Sequence, residues 1–210
     1  MKNRKIAPVE NNLEKRQTYQ EQMKRYNKAI KEGFYFEALL IDYAMLEDRL
    51  RSFLYHVAFF ADRNKINSWK RTKPYFQKFV SEYKNPDENE NLGVSTSISG
   101  KIKNIRAMLR WVADSDLTNE TDRYLLTLKS QLEGVDIGAL LETLENIEEW
   151  RKYRNEIVHS LLNKSVEGVN TELETLAVNG MKYAREIDNQ LKVLKKGNQI
   201  RRSVNAPLDK

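Results

Sequence analysis

Proline breaks helices, because it lacks a backbone N–H and its ring collides with the preceding turn. This chain of 210 residues contains four, at Pro8, Pro74, Pro86 and Pro207, well below an average usage of about 5%. Long stretches with apolar residues at helical spacing run between them. The spacing predicts a polar helix over 11–31 that stops at Gly33. A long apolar helix follows over 34–62, with Leu39, Tyr43, Leu46, Leu50, Phe53 and Val57 on one stripe. Further helices are expected over 101–113 (Ile102, Ile105, Leu109 and Val112 in step), 119–132 and 137–163, the last capped by Asp136. A final helix over 170–196 carries Leu173, Leu176, Met181, Ala184, Ile187, Leu191 and Leu194 in an imperfect stripe. Residues 85–100, with Pro86, Gly93 and a Ser/Thr cluster, read as a flexible loop. No segment alternates with period two, and no repeat of solenoid length is present. The expected fold is therefore all-α, an antiparallel bundle of five to seven helices. Residues 1–33 form an N-terminal helical extension, 34–200 the bundle and 201–210 a tail.

Composition narrows the chemistry. Apolar residues make up 40% of the chain and aromatic residues 10%, enough to fill a core. Cysteine is absent, which excludes a disulfide framework, a thiolate zinc site and a cysteine nucleophile. The two histidines, His56 and His159, are too few for a multi-histidine metal centre, so no metal or other cofactor is expected. No apolar run approaches the roughly 20 residues needed to cross a bilayer. Residues 1–10 are basic but lack the apolar stretch of a secretory signal. The expectation is a cytoplasmic protein with no membrane partner.

The net charge of +6 has a local origin. Residues 63–84 hold Arg63, Lys65, Lys70, Arg71, Lys73, Lys78 and Lys84 against a single acid, Glu82, and the rest of the chain balances. Trp69, Tyr75, Phe76, Phe79 and Tyr83 lie among them. Cations interleaved with aromatic rings suit a single-stranded nucleic acid, since phosphates attract charge and bases stack on flat faces. Lys70 and Arg71 are candidate substrate contacts on that reading. The alternative is a short amphipathic helix over 74–83, with Tyr75, Phe76 and Phe79 in the core and the lysines in water. The basic end around Lys192, Lys195, Lys196, Arg201 and Arg202 reads as a solvated helix end and tail.

The stretch 150–163, WRKYRNEIVHSLLN, breaks its own pattern. With Arg154 at zero on a wheel of 100° per residue, Ile147 falls at about 20°, Leu140 and Val158 at about 40°, and Leu144 and Leu162 at about 80°. Leu161, Trp150 and Ile157 fall at about −20°, −40° and −60°. Arg154 is thus close to the middle of an apolar arc, and Arg151, at about 60°, lies within it. A cation there costs several kcal/mol unless it is paired or meets an anion. Asn155 and His159 lie side by side on the flank, at about 100° and 140°. In the plain structural alternative, Arg154 pairs with a buried acid and His159 is only a donor at a helix end.

Arg-Asn-x-x-x-His at Arg154, Asn155 and His159 resembles the signature of the HEPN superfamily, helical bundles named for nucleotide binding in higher eukaryotes and prokaryotes. The motif lies near the C-terminal end of a long apolar helix with another helix after it, which is similar to the family arrangement. An earlier helix carrying a Glu in its stripe, here Glu47 within YAMLEDRL, is similar too.

Many members of that family are metal-independent endoribonucleases, and the resemblance implies that activity on single-stranded RNA, with a 2′,3′-cyclic phosphate product. A toxin or phage-defence role, with an antitoxin or regulatory protein as partner, is compatible with it. Such cleavage needs a base for the 2′-OH, an acid for the 5′-oxygen and positive charge at the phosphate. Histidine titrates in the right range for proton transfer, and arginine offers a fixed two-pronged donor. On this scheme Arg154 stabilises the phosphate, His159 transfers protons, and Asn155 orients substrate or His159. Arg151 is a further phosphate candidate, and Glu47 either fixes Arg154 or is a structural carboxylate. One histidine per chain makes both proton transfers hard for a monomer; in the family two protomers face each other, so a homodimer is expected. His56, within LYHVAFF, reads as a packing histidine. One subtype carries a modifiable tyrosine two residues after the histidine, where this chain has Leu161. The competing readings are a non-catalytic helical dimer that binds a nucleotide, RNA or a protein partner, and a structural adaptor whose Arg154 is satisfied internally.

Overall fold

In the computed structural model, which describes residues 12–57, 66–83, 97–159, 161–163 and 165–197, every regular element is helical. Seven α-helices occur among these residues: α1 (Asn12–Glu32), α2 (Tyr35–His56), α3 (Ile66–Glu82), α4 (Ile98–Asp114), α5 (Arg123–Leu132), α6 (Ile137–His159) and α7 (Val166–Gly197). A single 3₁₀ turn, Leu161–Asn163, follows α6. The all-α bundle expected from periodicity is the fold observed. No helix of the described residues is long and apolar enough to cross a membrane.

Several boundaries follow from local chemistry. Gly33 takes φ +77°, and the bonds Gly33 N–H to Ile30 O and Phe34 N–H to Ala29 O close α1 in a Schellman turn. Asp122, not Asn119, starts α5, because its carboxylate accepts from the amides of Tyr124 and Leu125. Asp136 opens α6 as expected, accepting from Ala139 N–H at 3.0 Å. Ser97 accepts from Gly100 N–H, so α4 begins three residues earlier than its spacing suggests and buries Ile98. Ser165 does the same for α7, accepting from Gly168 N–H. Pro74 lies inside α3 rather than at its start. The lost backbone bond is offset by packing: Phe76, Phe79 and Val80 are buried, and Tyr75 bonds to Asp122. The loop expected over 85–100 lies outside the described residues up to position 96, as do residues 1–11, 58–62 and 198–210.

Helix α7 runs parallel to α2. Tyr35 bonds to Glu174, Asp42 packs on Gly180, and Arg49 Nε meets Asp188 at 3.0 Å, so positions rise together along both helices. Helix α6 runs the other way along α7, with Trp150 donating to Leu176 O at 2.8 Å and Thr143 donating to Glu186 at 3.2 Å. Helix α4 is antiparallel to α6 in turn, through Arg106–Glu145 and Ser99–Glu148. The core stripes of α2 and α4 follow the sequence except at Tyr43, which is half-buried: Leu39, Leu46, Leu50, Phe53 and Val57, with Ile102, Ile105, Leu109 and Val112, are buried.

The polar helix α1 lies antiparallel on α2, inserting Tyr26 and Ala29 into the core. Its Lys15 and Tyr19 both bond to Asp48 of α2, and Tyr26 donates to Ala177 O of α7 at 3.2 Å. If α1 unfolds together with the rest of the bundle, Tyr26→Phe will lower global stability by about 1 kcal/mol, the usual net worth of one such bond. A urea titration followed by circular dichroism measures this. Loss confined to a separate early transition would show that α1 unfolds alone.

Candidate functional site

The apolar arc of α6 is closed for its first four turns and opens on one side after them, Ile157 staying buried on the other. Leu140, Leu144, Ile147 and Trp150 are buried, whereas Arg151, Arg154, Asn155 and Val158 are half-buried. The first turn of α4, at Ser99, is level with Glu148.

At this opening Arg154 has no acid among the described residues. Its guanidinium carbon lies 4.7 Å from the centroid of the Tyr43 ring on α2, a cation–π contact. That ring also stacks at 6.5 Å on Trp150, one turn back along α6. Nη1 of Arg154 donates to Asn155 Oδ1 at 3.0 Å. Nε is buried with no hydrogen-bond partner among the described residues. The first two residues of the Arg-Asn-x-x-x-His string are therefore in direct contact.

His159 is exposed at the C-terminal end of α6. Five helical residues place it about 7.5 Å along the axis and about 140° around from Arg154. The two are thus presented on the same end of the helix but not to each other. His56, half-buried at the end of α2, sets its ring edge-on to Tyr55 at 5.6 Å, in keeping with a packing role.

Arg151 and Glu47 are each held in an ion pair. Arg151 forms a two-pronged pair with Glu148, at 2.6 Å and 3.1 Å. Glu148 also accepts from Ser99. Burial works against its charge, but Arg151 and Ser99 outweigh it and hold the carboxylate below its usual range. Arg151 is correspondingly raised, chiefly by its bond to Glu148. Glu47 does not fix Arg154; its carboxylate lies 3.0 Å from Lys101 Nζ on α4. The Lys101 side chain is only 3% exposed, so its ammonium has the stronger need for a counter-charge. The contact seen for Glu47 is thus with Lys101 and not with Arg154.

Lys70 and Arg71 belong to α3, but their side chains lie outside the described residues. Of the aromatic residues interleaved with that basic run, Phe76 and Phe79 are buried and Phe79 packs at 4.7 Å on Trp111. Tyr75 bonds to Asp122 and Tyr83 to Asp114. These rings serve the protein interior, as in the amphipathic-helix alternative.

Sequence reasoning missed Tyr43 as the seat of Arg154, and Lys101 and Glu148 as the charges that settle Glu47 and Arg151. Tyr43 stands in the α2 stripe, where a ring reads as core. Glu148, at i−3 from Arg151, was visible as a helical ion pair.

The arrangement yields a measurable coupling. Tyr43→Phe keeps a ring beneath Arg154 and should be nearly neutral. Tyr43→Leu combined with Arg154→Met in a double-mutant cycle should give a coupling of about 0.5–2 kcal/mol by chemical denaturation. A coupling of zero would mean that the ring does not hold the guanidinium.

Comparison of the chain with protein-family models, with curated proteins and with solved structures gives no match in any of the three.

Proposed function

We propose that the protein is a metal-independent endoribonuclease of HEPN type that acts on single-stranded RNA as a homodimer. The observation that supports this most is the state of Arg154. It is half-buried, it rests on an aromatic face, and no carboxylate among the described residues cancels its charge. An anion with acceptor oxygens would complete it. A phosphodiester fits this chemistry, because a guanidinium donates to two phosphate oxygens from one edge.

In this reading Arg154 binds the scissile phosphate and stabilises the charge that gathers on it in the transition state. Asn155 Oδ1 holds one Nη in place, which fixes the edge offered to the phosphate. His159, exposed at the helix end, exchanges protons with the 2′-oxygen or the leaving 5′-oxygen. A second protomer supplies the other imidazole. Arg151, already neutralised by Glu148, adds less to phosphate binding than Arg154. The toxin or phage-defence role and an antitoxin partner belong to the same proposal and rest on the resemblance alone; the cytoplasmic setting is proposed with them.

A second reading has its own observation. Arg154 and His159 diverge within one chain, which suits a dimer that binds RNA, a nucleotide or a protein partner without cleaving. The two readings separate in one assay. The purified chain should cleave single-stranded RNA with EDTA present, and His159→Ala should lower the rate by about 10²–10⁴. Arg154→Ala should weaken both binding and turnover. Cleavage that EDTA abolishes, or a His159→Ala variant as fast as its parent, would sink the nuclease. Retention of RNA without turnover would favour the binder.

A further inference from the structure

Asp42 lies in the middle of α2, one residue before the tyrosine that carries Arg154. It is fully buried, and neither carboxyl oxygen has a hydrogen-bond partner among the described residues. Its ceiling is the backbone of α7 at Gly180. A Cβ there would come within 2.9 Å of both Asp42 Cβ and Trp150 Cζ2, and within 3.0 Å of Asp42 Oδ2. Close approach therefore requires glycine at this point, and α2, α6 and α7 meet around one acid.

The neighbouring donors are engaged elsewhere. Tyr26 of α1, which feels the charge of Asp42, gives its hydroxyl to Ala177 O. Trp150 of α6 gives its indole N–H to Leu176 O. Arg185 of α7 attracts the carboxylate but is itself exposed to solvent. A carboxylate without donors in a closed apolar junction is costly, whereas the neutral acid is tolerated. Burial accordingly pushes Asp42 up to about 8, opposed in part by Arg185.

We propose that Asp42 is a proton-operated clasp: as a neutral acid it lets α7 close on α2 and α6 at Gly180, and on losing its proton it forces that junction open and releases the Tyr43–Arg154 stack. The carboxylate gains water or a donor only if α7 moves away, and Trp150, which touches the same point, moves with it. Arg154 thereby becomes sensitive to pH without titrating itself. The clasp holds whether or not the protein cleaves RNA.

The direction of the pH dependence follows from where the proton is held more tightly. An unfolded aspartate titrates at about 4, so between there and about 8 the folded chain holds a proton that the unfolded chain has lost. Stability is greatest in acid on this account and declines as pH rises through that window, by up to tenfold in the unfolding constant per pH unit. For a chain of this size that corresponds to about 3–5 °C per unit in melting temperature.

Thermal unfolding of the full chain between about pH 5.5 and about pH 9 tests this. The wild type should lose stability across the range and Asp42→Asn far less; parallel curves would overturn the proposal. If Asp42→Asn does not fold, carboxyl-carbon NMR of the wild type decides. One aspartate still protonated at about pH 6.5, with the ¹⁹F signal of 5-fluorotryptophan at Trp150 shifting at the same midpoint, supports the clasp. Aspartates that all titrate at about pH 4, or a Trp150 signal indifferent to the titration, overturn it. Gly180→Ala should loosen the same junction and bring the Asp42 midpoint down towards the ordinary range.

Discussion

Two side chains from opposite neighbours, Tyr26 of α1 and Trp150 of α6, donate to consecutive backbone carbonyls of α7, those of Ala177 and Leu176. A helical carbonyl accepts one bond within its own helix and has a second lone pair free, so neither contact breaks α7. Because the acceptors are backbone atoms, these bonds fix α1 and α6 in axial register on α7, which side-chain packing alone does loosely. One turn further on, Gly180 lets α2 approach. The position of Tyr43, and with it the place of Arg154, is a consequence of those three contacts at one level of the bundle.

Helices with a full apolar stripe were legible because their burial repeats every three to four residues, as in α2 and α4. Ends marked by a single strong local interaction, Gly33 and Asp136, were legible for the same reason. Pro74 was not. Its local penalty points to a boundary, but Phe76, Phe79 and the Tyr75–Asp122 bond hold the helix together from outside it. The role of α1 was also hidden. Few of its residues are buried, and its attachment runs through Asp48, Ala177 and other distant partners that no periodicity reveals.

Arg154 was legible as an anomaly, a cation near the centre of an apolar arc. What satisfied it was not. Glu47 and Tyr43 stand four residues apart on one face of α2, and either could have met it. The choice was made by α4, where a buried Lys101 takes the carboxylate and leaves the ring. The imperfect stripe of α7 has a similar explanation. It falters between Leu176 and Met181 because Gly180 gives up its side chain to make room for Asp42, a complementarity between two helices far apart in sequence.

The contrast between Arg151 and Arg154 shows what a ring does that an acid cannot. The two arginines are one turn apart on the same helix and equally half-buried. Glu148 cancels the charge of Arg151 through two hydrogen bonds, so an incoming anion must compete with a carboxylate already in place. The face of Tyr43 attracts the guanidinium through its quadrupole while leaving the unit charge intact. Burial pushes the carboxyl of Asp42, next to Tyr43 in sequence, up to about 8, which favours its uncharged form. A cation with an unused donor is thus preserved at position 154 with no carboxylate among the described residues against it, so an anion would meet less competition there than at Arg151.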